Sequence, residues 1–365
     1  MDITHLYKTQ ISLTEWFEKS DHKLTEELRI EDNDKRERLK VLNEIIGLPF
    51  DKPVQFKAID LANETDSFLE FFKKEKNRLC ALRLIPTDPS LPKLRMRGHT
   101  IEKAMEWFKE QKVNPSMYKA DFVPHSENSL WSTIFFVNKK GISGEMIKGG
   151  HHQLTQGFYE KEKPIIFSFD FNSWNFSKED TEAKKQIKEI ASLLCIKDSK
   201  AAKRIKEELN ATFAEGYLEG YFETVTTKEH GLWFIDYNRI LGKLYQDYMV
   251  NISQEESEEK LKGLIGSKGK FTGRAKIIVD ENLHGSNINK EEVLVCPMTT
   301  PNHLFLMKNA GAIVTDLGGI VSHAAIIARE FNIPCLVGTE KATSLFKDND
   351  LIEVDAENGF ARKID

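Results

Sequence analysis

The sequence predicts a multidomain protein of mixed α/β and α+β class, and three features carry that prediction. Its 365 residues are enough for two or three domains of ordinary size. Hydrophobic residues make up 40% of the chain and charged residues 30%, the balance of a globular protein. The third feature is a change of texture near residue 255, where the acidic run 251–260 has little to bury. The expected division is a module over 1–250, itself divisible near residue 110, a linker over 251–262 and a compact domain over 263–365.

The elements follow from local pattern. Residues 14–46 are strongly charged and read as helical. Residues 54–59 and 79–85 read as strands, and 101–112 as a helix with Ala104, Met105 and Phe108 on one face. Residues 118–123 and 131–137 read as two strands joined by a polar turn. Ser177 with Asp180 makes a capping-box pattern opening a helix to about residue 195, and another helix is expected over 199–219. Residues 222–226 and 232–237 form a hairpin around the turn 228–231. Beyond residue 260, short β-branched runs at 275–279, 292–296 and 312–315 precede an apolar helix over 322–331. Strands followed by a helix in so short a stretch predict a compact α/β domain.

Charge and cysteine usage exclude several function classes. The net charge is −5 with acids and bases interspersed, so no basic face is available for nucleic acid. No apolar run reaches the ~18 residues that span a bilayer, and the start lacks a signal-peptide pattern. Cys80, Cys195, Cys296 and Cys335 are scattered and form no CxxC pair, as free thiols of a reducing compartment would. A cytoplasmic protein is expected.

The segment 315–329 has its own chemical logic. Residues 312–315 make a buried strand, and Gly318-Gly319 turns tightly enough for backbone amides to approach an anion. Ser322 stands where a helix N-cap belongs, because 324–329 is a good helix sequence. His323 therefore sits at a helix N-terminus, where free N–H groups favour negative charge and disfavour imidazolium. A neutral ring at an anion site is what phosphoryl capture requires.

This segment resembles the phosphohistidine signature of the phosphoenolpyruvate-utilising enzymes, a family that includes pyruvate phosphate dikinase, phosphoenolpyruvate synthase and rifampicin phosphotransferase. The resemblance rests on Thr315, Gly318, Gly319, Ser322, His323, Ala324, Ala325 and Arg329, continues through 332–338, and extends to the runs 266–273 and 351–359. It implies a swivelling β/β/α phosphohistidine domain with His323 as the catalytic residue. Thr315, Gly318, Gly319, Ser322 and Arg329 would support the phosphate loop.

The same resemblance implies that the phosphate donor is ATP with Mg²⁺, held by an ATP-grasp-like module in the first 250 residues. Glu223 on one strand of the predicted hairpin, with Asp236 and Asn238 on the other, makes a hard-oxygen set suited to Mg²⁺ and phosphates. Close relatives carry Gln-x-Arg where this chain has Asp236 and Asn238, so the phosphate-binding arginine is displaced or lost. Gly149-Gly150, in the polar run 144–157, resembles the stretch that lies over the nucleotide. His151-His152 has no third ligand at metal spacing, so zinc is not expected. Lys57, Arg83, Arg95 and Arg97 are candidate triphosphate clamps, and the sequence does not choose among them.

The expected function is a dikinase-type transfer of the β-phosphate of ATP through His323 to a small-molecule acceptor, with AMP and phosphate released. The acceptor, or pyruvate or water, is expected at the interface of the two halves or on a separate subunit. Neither nucleic acid nor membrane is expected as a partner. Two other classes fit parts of the pattern: a phosphorelay protein phosphorylated on His323 by a partner, and a nucleotide-binding module without turnover.

Overall fold

The computed structural model describes residues 17–18, 24–88, 90–126, 128–157, 159, 162–250, 252, 260–279, 283 and 286–364. Most of the expected linker lies outside the described residues. Three larger sheets and one two-stranded hairpin organise the described residues. None of the described helices is long and apolar enough to cross a membrane.

The first sheet contains β1 (Val54–Lys57), β2 (Leu79–Pro86), β3 (Leu94–Thr100) and β4 (Tyr118–Pro124), in the order β1-β4-β2-β3 and antiparallel throughout. The strand expected over 54–59 stops at Lys57, because the Asp60 carboxylate accepts the Lys57 amide at 3.2 Å and turns the chain into the helix Ala58–Ala62. Ile101–Glu110 is helical, with Ile101, Ala104, Met105 and Phe108 buried at helical spacing and Thr100 as its N-cap.

The second sheet contains β5 (Ser129–Asn138), β6 (Gly141–Lys148), β7 (Ile165–Phe169) and β8 (Trp174–Phe176). After the two-residue strands β9 (Phe213–Ala214) and β10 (Tyr217–Leu218), it is completed by β11 (Gly220–Thr227) and β12 (Gly231–Asn238). Its order is β12-β11-β5-β6-β7-β8. The strands expected to be joined by one turn, β4 and β5, belong to different sheets, so the chain crosses between sheets after Pro124. Helix Thr181–Leu193 is capped by Asp180, not Ser177: the Asp180 side chain accepts the Ala183 amide, and the Ser177 hydroxyl accepts that of Ile166. Helix Ser199–Leu209 ends ten residues before the expected Glu219, because Asn210 takes the left-handed conformation (φ 48°) and starts a small hairpin.

The third sheet begins at Leu261, two residues before the expected domain start, with β13 (Leu261–Lys262). It continues through β14 (Leu264–Ser267), β15 (Lys270–Ile277), β16 (Glu292–Cys296), β17 (Ala312–Thr315), β18 (Cys335–Val337), β19 (Leu351–Asp355) and β20 (Phe360–Lys363). Its order is β13-β20-β19-β15-β16-β17-β18-β14, and β15 to β18 run parallel. The loop after β17 leads into helix His323–Glu330, so His323 stands at the carboxyl end of a parallel strand, the edge where open α/β sheets place their ligands. One apolar core joins the second and third units, with Ile134, Phe136 and Tyr245 on one side and Ile320, Ile327 and Val337 on the other.

Candidate active site

A cavity of about 590 Å³ lies where the three units meet. Arg83 from β2 and Arg95 and Arg97 from β3 line one wall. Glu223, Asp236 and Asn238 from the β11–β12 hairpin form another, with Gly150, His151 and His152 from the loop after β6. His323 closes it from the third unit. Helices Thr25–Asn33 and Lys35–Ile46 add Asp32, Lys35 and Arg36.

The hairpin register places Glu223 directly opposite Asp236. The Asp236 Oδ2 lies 3.2 Å from Lys35 Nζ, which also holds Asp32 at 2.9 Å. Asp236 Oδ1 is buried and has no hydrogen-bond partner among the described residues. Glu223 Oε2 lies 3.0 Å from His151 Nε2, and Oε1 accepts the Tyr221 hydroxyl at 2.9 Å. Burial pushes the Glu223 carboxyl up, but His151, Lys35 and the Tyr221 hydroxyl outweigh it and bring it down to about 2. Asp236 is raised by burial, and neighbouring Glu223 adds to this while Lys35 opposes it. One carboxylate is thus held ionised and its neighbour is destabilised as an anion, so a cation entering between them is favoured.

That chemistry fits a divalent ion carried with phosphates. Two carboxylates, one with an orphaned buried oxygen, suit Mg²⁺ that takes its other ligands from phosphate and water. No cluster of three or more His, Cys, Asp or Glu ligands occurs among the described residues, so a cage made wholly of such groups is not built here. Asn238 differs from the expectation: its Oδ1 accepts the Leu241 amide at 2.8 Å as the N-cap of helix Arg239–Leu244, which engages the oxygen expected for the metal. Arg239 turns away to Glu31, at 2.6 Å.

Burial lowers the His323 imidazole to about 4; Glu223 opposes this, and His151 and Arg95 add to it. A neutral ring beside cations and a carboxylate pair has the protonation state that a nucleophile at an anion site requires. The Ser322 hydroxyl donates to Gly319 O at 2.8 Å and accepts the Ala325 amide at 3.4 Å, which fixes the turn into the helix. Thr315 donates to Leu317 O at 2.6 Å and braces the loop from below. Gly318 has φ +124°, a conformation that L side chains rarely adopt.

The structure therefore brings Arg83, Arg95, Arg97, Gly150, Glu223, Asp236, Asn238 and His323 to one cavity. It does not bring Lys57 there: this residue is exposed on the edge strand β1, paired in register with Lys119. Gly149 is not among the lining residues; its carbonyl accepts the Ser132 hydroxyl at 2.7 Å. Thr315, Gly318, Gly319 and Ser322 shape the histidine loop without lining the cavity. The Arg329 guanidinium stacks over the Tyr245 and Tyr248 rings at 4.2 and 4.6 Å, so it fastens the third unit to the second and is not placed for phosphate. Sequence reasoning missed Asp32, Lys35 and Arg36. The available signal was a helical segment dense in charge, whose Glu31, Arg36 and Arg38 are in fact buried.

Comparison with known proteins concerns mainly the third unit. Residues 288–359 match the family described as PEP-utilising enzyme, mobile domain. An uncharacterized phosphotransferase of Bacillus subtilis is 44% identical over 120 residues, covering 33% of this chain and 14% of that protein. A probable phosphoenolpyruvate synthase of Archaeoglobus fulgidus is 46% identical over 107 residues, covering 29% of this chain and 14% of that one. The chain thus spans about a seventh of the length of these relatives. Among solved structures, D-cycloserine synthetase DcsG aligns at TM-score 0.32 and 12% identity, over 56% of this chain and 61% of that one. The loop and the capped helix that carry His323 lie within the segment that matches the mobile domain of phosphoenolpyruvate-utilising enzymes.

Proposed function

We propose that this protein is an ATP-dependent phosphotransferase of the dikinase type, in which an ATP-grasp-like site made by the first two units loads His323. The observation that carries this reading is the single cavity shared by His323, the Glu223–Asp236 pair and Arg83, Arg95 and Arg97. The His323 ring attacks the β-phosphorus of ATP, the bond to the α-phosphate oxygen breaks, and AMP leaves. The γ-phosphate is then lost to water as phosphate, and His323 keeps one phosphoryl group. Glu223 and Asp236 would hold Mg²⁺, which would neutralise charge on the phosphates. The arginines hold the phosphate oxygens, and the cavity positions the ring against them. The acceptor is a small molecule, or pyruvate or water at a site on a separate subunit.

Incubation with ATP and Mg²⁺ should yield AMP in proportion to enzyme in a single turnover, and His323→Ala should bind ATP as tightly while yielding none. ADP in place of AMP, or AMP formed equally by the variant, contradicts the reading.

A further inference from the structure

We propose that Glu145 is a positioning residue, whose buried carboxylate seats the histidine loop of the third unit against the cavity and so presents His323 for transfer. The proposal rests on the reading of His323 as the phosphoryl carrier. Glu145 lies on β6 and is fully buried. Its Oε1 accepts the Ile320 amide at 3.1 Å. This amide lies three residues before His323, and the bond crosses from the second unit to the third.

Gly319 supplies an independent observation. It lies outside the left-handed region, so its backbone accepts any L residue. A Cβ at this position would nevertheless stand 2.3 and 2.4 Å from the two Glu145 carboxylate oxygens. The second glycine of the loop is thus required by the approach of Glu145 and not by the turn. A neighbouring contact is equally close, since a Cβ on Gly157 would meet Gly318 Cα at 2.5 Å. From the other side, the Tyr245 hydroxyl donates to Ile320 O at 3.2 Å. Both the N–H and the C=O of Ile320 are therefore held by the second unit.

The cost of this arrangement argues that it has a use beyond stability. Glu145 Oε2 has no hydrogen-bond partner among the described residues, and burial pushes the carboxyl up to about 7 although the Ile320 and Val321 backbone N–H groups oppose it. An uncompensated buried carboxylate is destabilising, and an apolar side chain on β6 would pack at lower cost. What Glu145 adds is orientation of the loop that carries His323.

The test compares Glu145→Ala, Glu145→Gln, Gly319→Ala and the double variant Glu145→Ala/Gly319→Ala in the full chain. Two readouts are used: hydrogen exchange of the Ile320 amide, and the rate of His323 labelling from β-labelled ATP. Glu145→Ala should speed exchange at that amide and slow labelling by about 100-fold, the scale of a small misplacement of reacting groups. Its affinity for ATP with Mg²⁺ should change less than about twofold, because no nucleotide-facing group is removed. Glu145→Gln keeps an oxygen acceptor and should recover most of the rate. Gly319→Ala should be as slow as Glu145→Ala, and the double variant no slower than either, because removing the carboxylate makes room for the new methyl group. Unchanged exchange in Glu145→Ala, or a double variant slowed by the product of the single effects, overturns the proposal. A wild-type chain that takes no label refutes the phosphotransferase reading, and the exchange comparison then decides the docking role by itself.

Discussion

Glu223 and Asp236 face each other across adjacent strands of one hairpin, yet each is held by a different cation-forming side chain: His151 on Glu223 and Lys35 on Asp236. Binding a nucleotide with Mg²⁺ must exchange these partners for the metal and its phosphates. Glu223→Ala and Asp236→Ala should each weaken Mg²⁺-dependent ATP binding at least tenfold, by about 1.4 kcal/mol or more, as measured by calorimetry with and without Mg²⁺. Equal affinity in both variants removes the metal assignment.

Lys35 bridges Asp236 and Asp32, with Lys93 supporting Asp32 at 2.8 Å. Lys35→Met leaves two acidic groups without their shared cation. ATP binding with Mg²⁺ should weaken, by about 1–2 kcal/mol for one charge-assisted contact to phosphate. Binding of Mg²⁺ without nucleotide should tighten, because the competing ammonium is gone. Titrations with each ligand separate the two effects, and a loss of both would assign Lys35 to the fold alone.

The pH dependence of loading follows from His323. Burial lowers the ring to about 4, and Glu223 is the one neighbour opposing that shift. A metal on Glu223 would weaken that opposition and move the ring no higher. The docked imidazole therefore stays neutral from pH 7.5 down to 5.5. The initial rate of His323 labelling should fall less than about twofold over that interval through this group, whereas a histidine at the ordinary ~6.5 would lose about tenfold. A tenfold fall with a midpoint near 6.5 would show a solvated ring at the moment of attack.

Helix Lys35–Ile46 is fixed to the chain that leads into β1 by a buried ion pair between Arg36 and Asp51, both about 4% exposed. Asp51→Ala leaves Arg36 buried and unpaired, and should cost about 3–5 kcal/mol of stability. The joint replacement Arg36→Met/Asp51→Leu should cost much less. Urea unfolding of the variants and their cycle checks this, and a small effect of Asp51→Ala would mean that Arg36 finds water.

The histidine loop was legible because its signals are local: a buried run, two glycines, an N-cap serine and an apolar helix follow one another, and each constrains the next. The β11–β12 hairpin was legible for the same reason, and its period of two put Asp236 and Asn238 on one face. What crosses the chain was not legible. The run 14–46 reads as a strongly charged helix, but within it Glu31 pairs with Arg239 and Arg38 bonds to Tyr237 O, both about 200 residues away. Nothing local marks Glu145 as a partner of Ile320, or separates β4 from β5 into different sheets. Lys57 matched the expected strand, but β1 lies at the sheet edge and leaves it exposed.

The most direct test of the central claim is incubation with Mg²⁺ and ATP labelled separately at the β and γ phosphates, with His323→Ala alongside. After AMP release and loss of the γ-phosphate, acid-labile label from the β position should remain on the wild-type chain and be absent from the variant. Label from the γ position alone, or β-label that survives in His323→Ala, would contradict a phosphohistidine formed at this cavity.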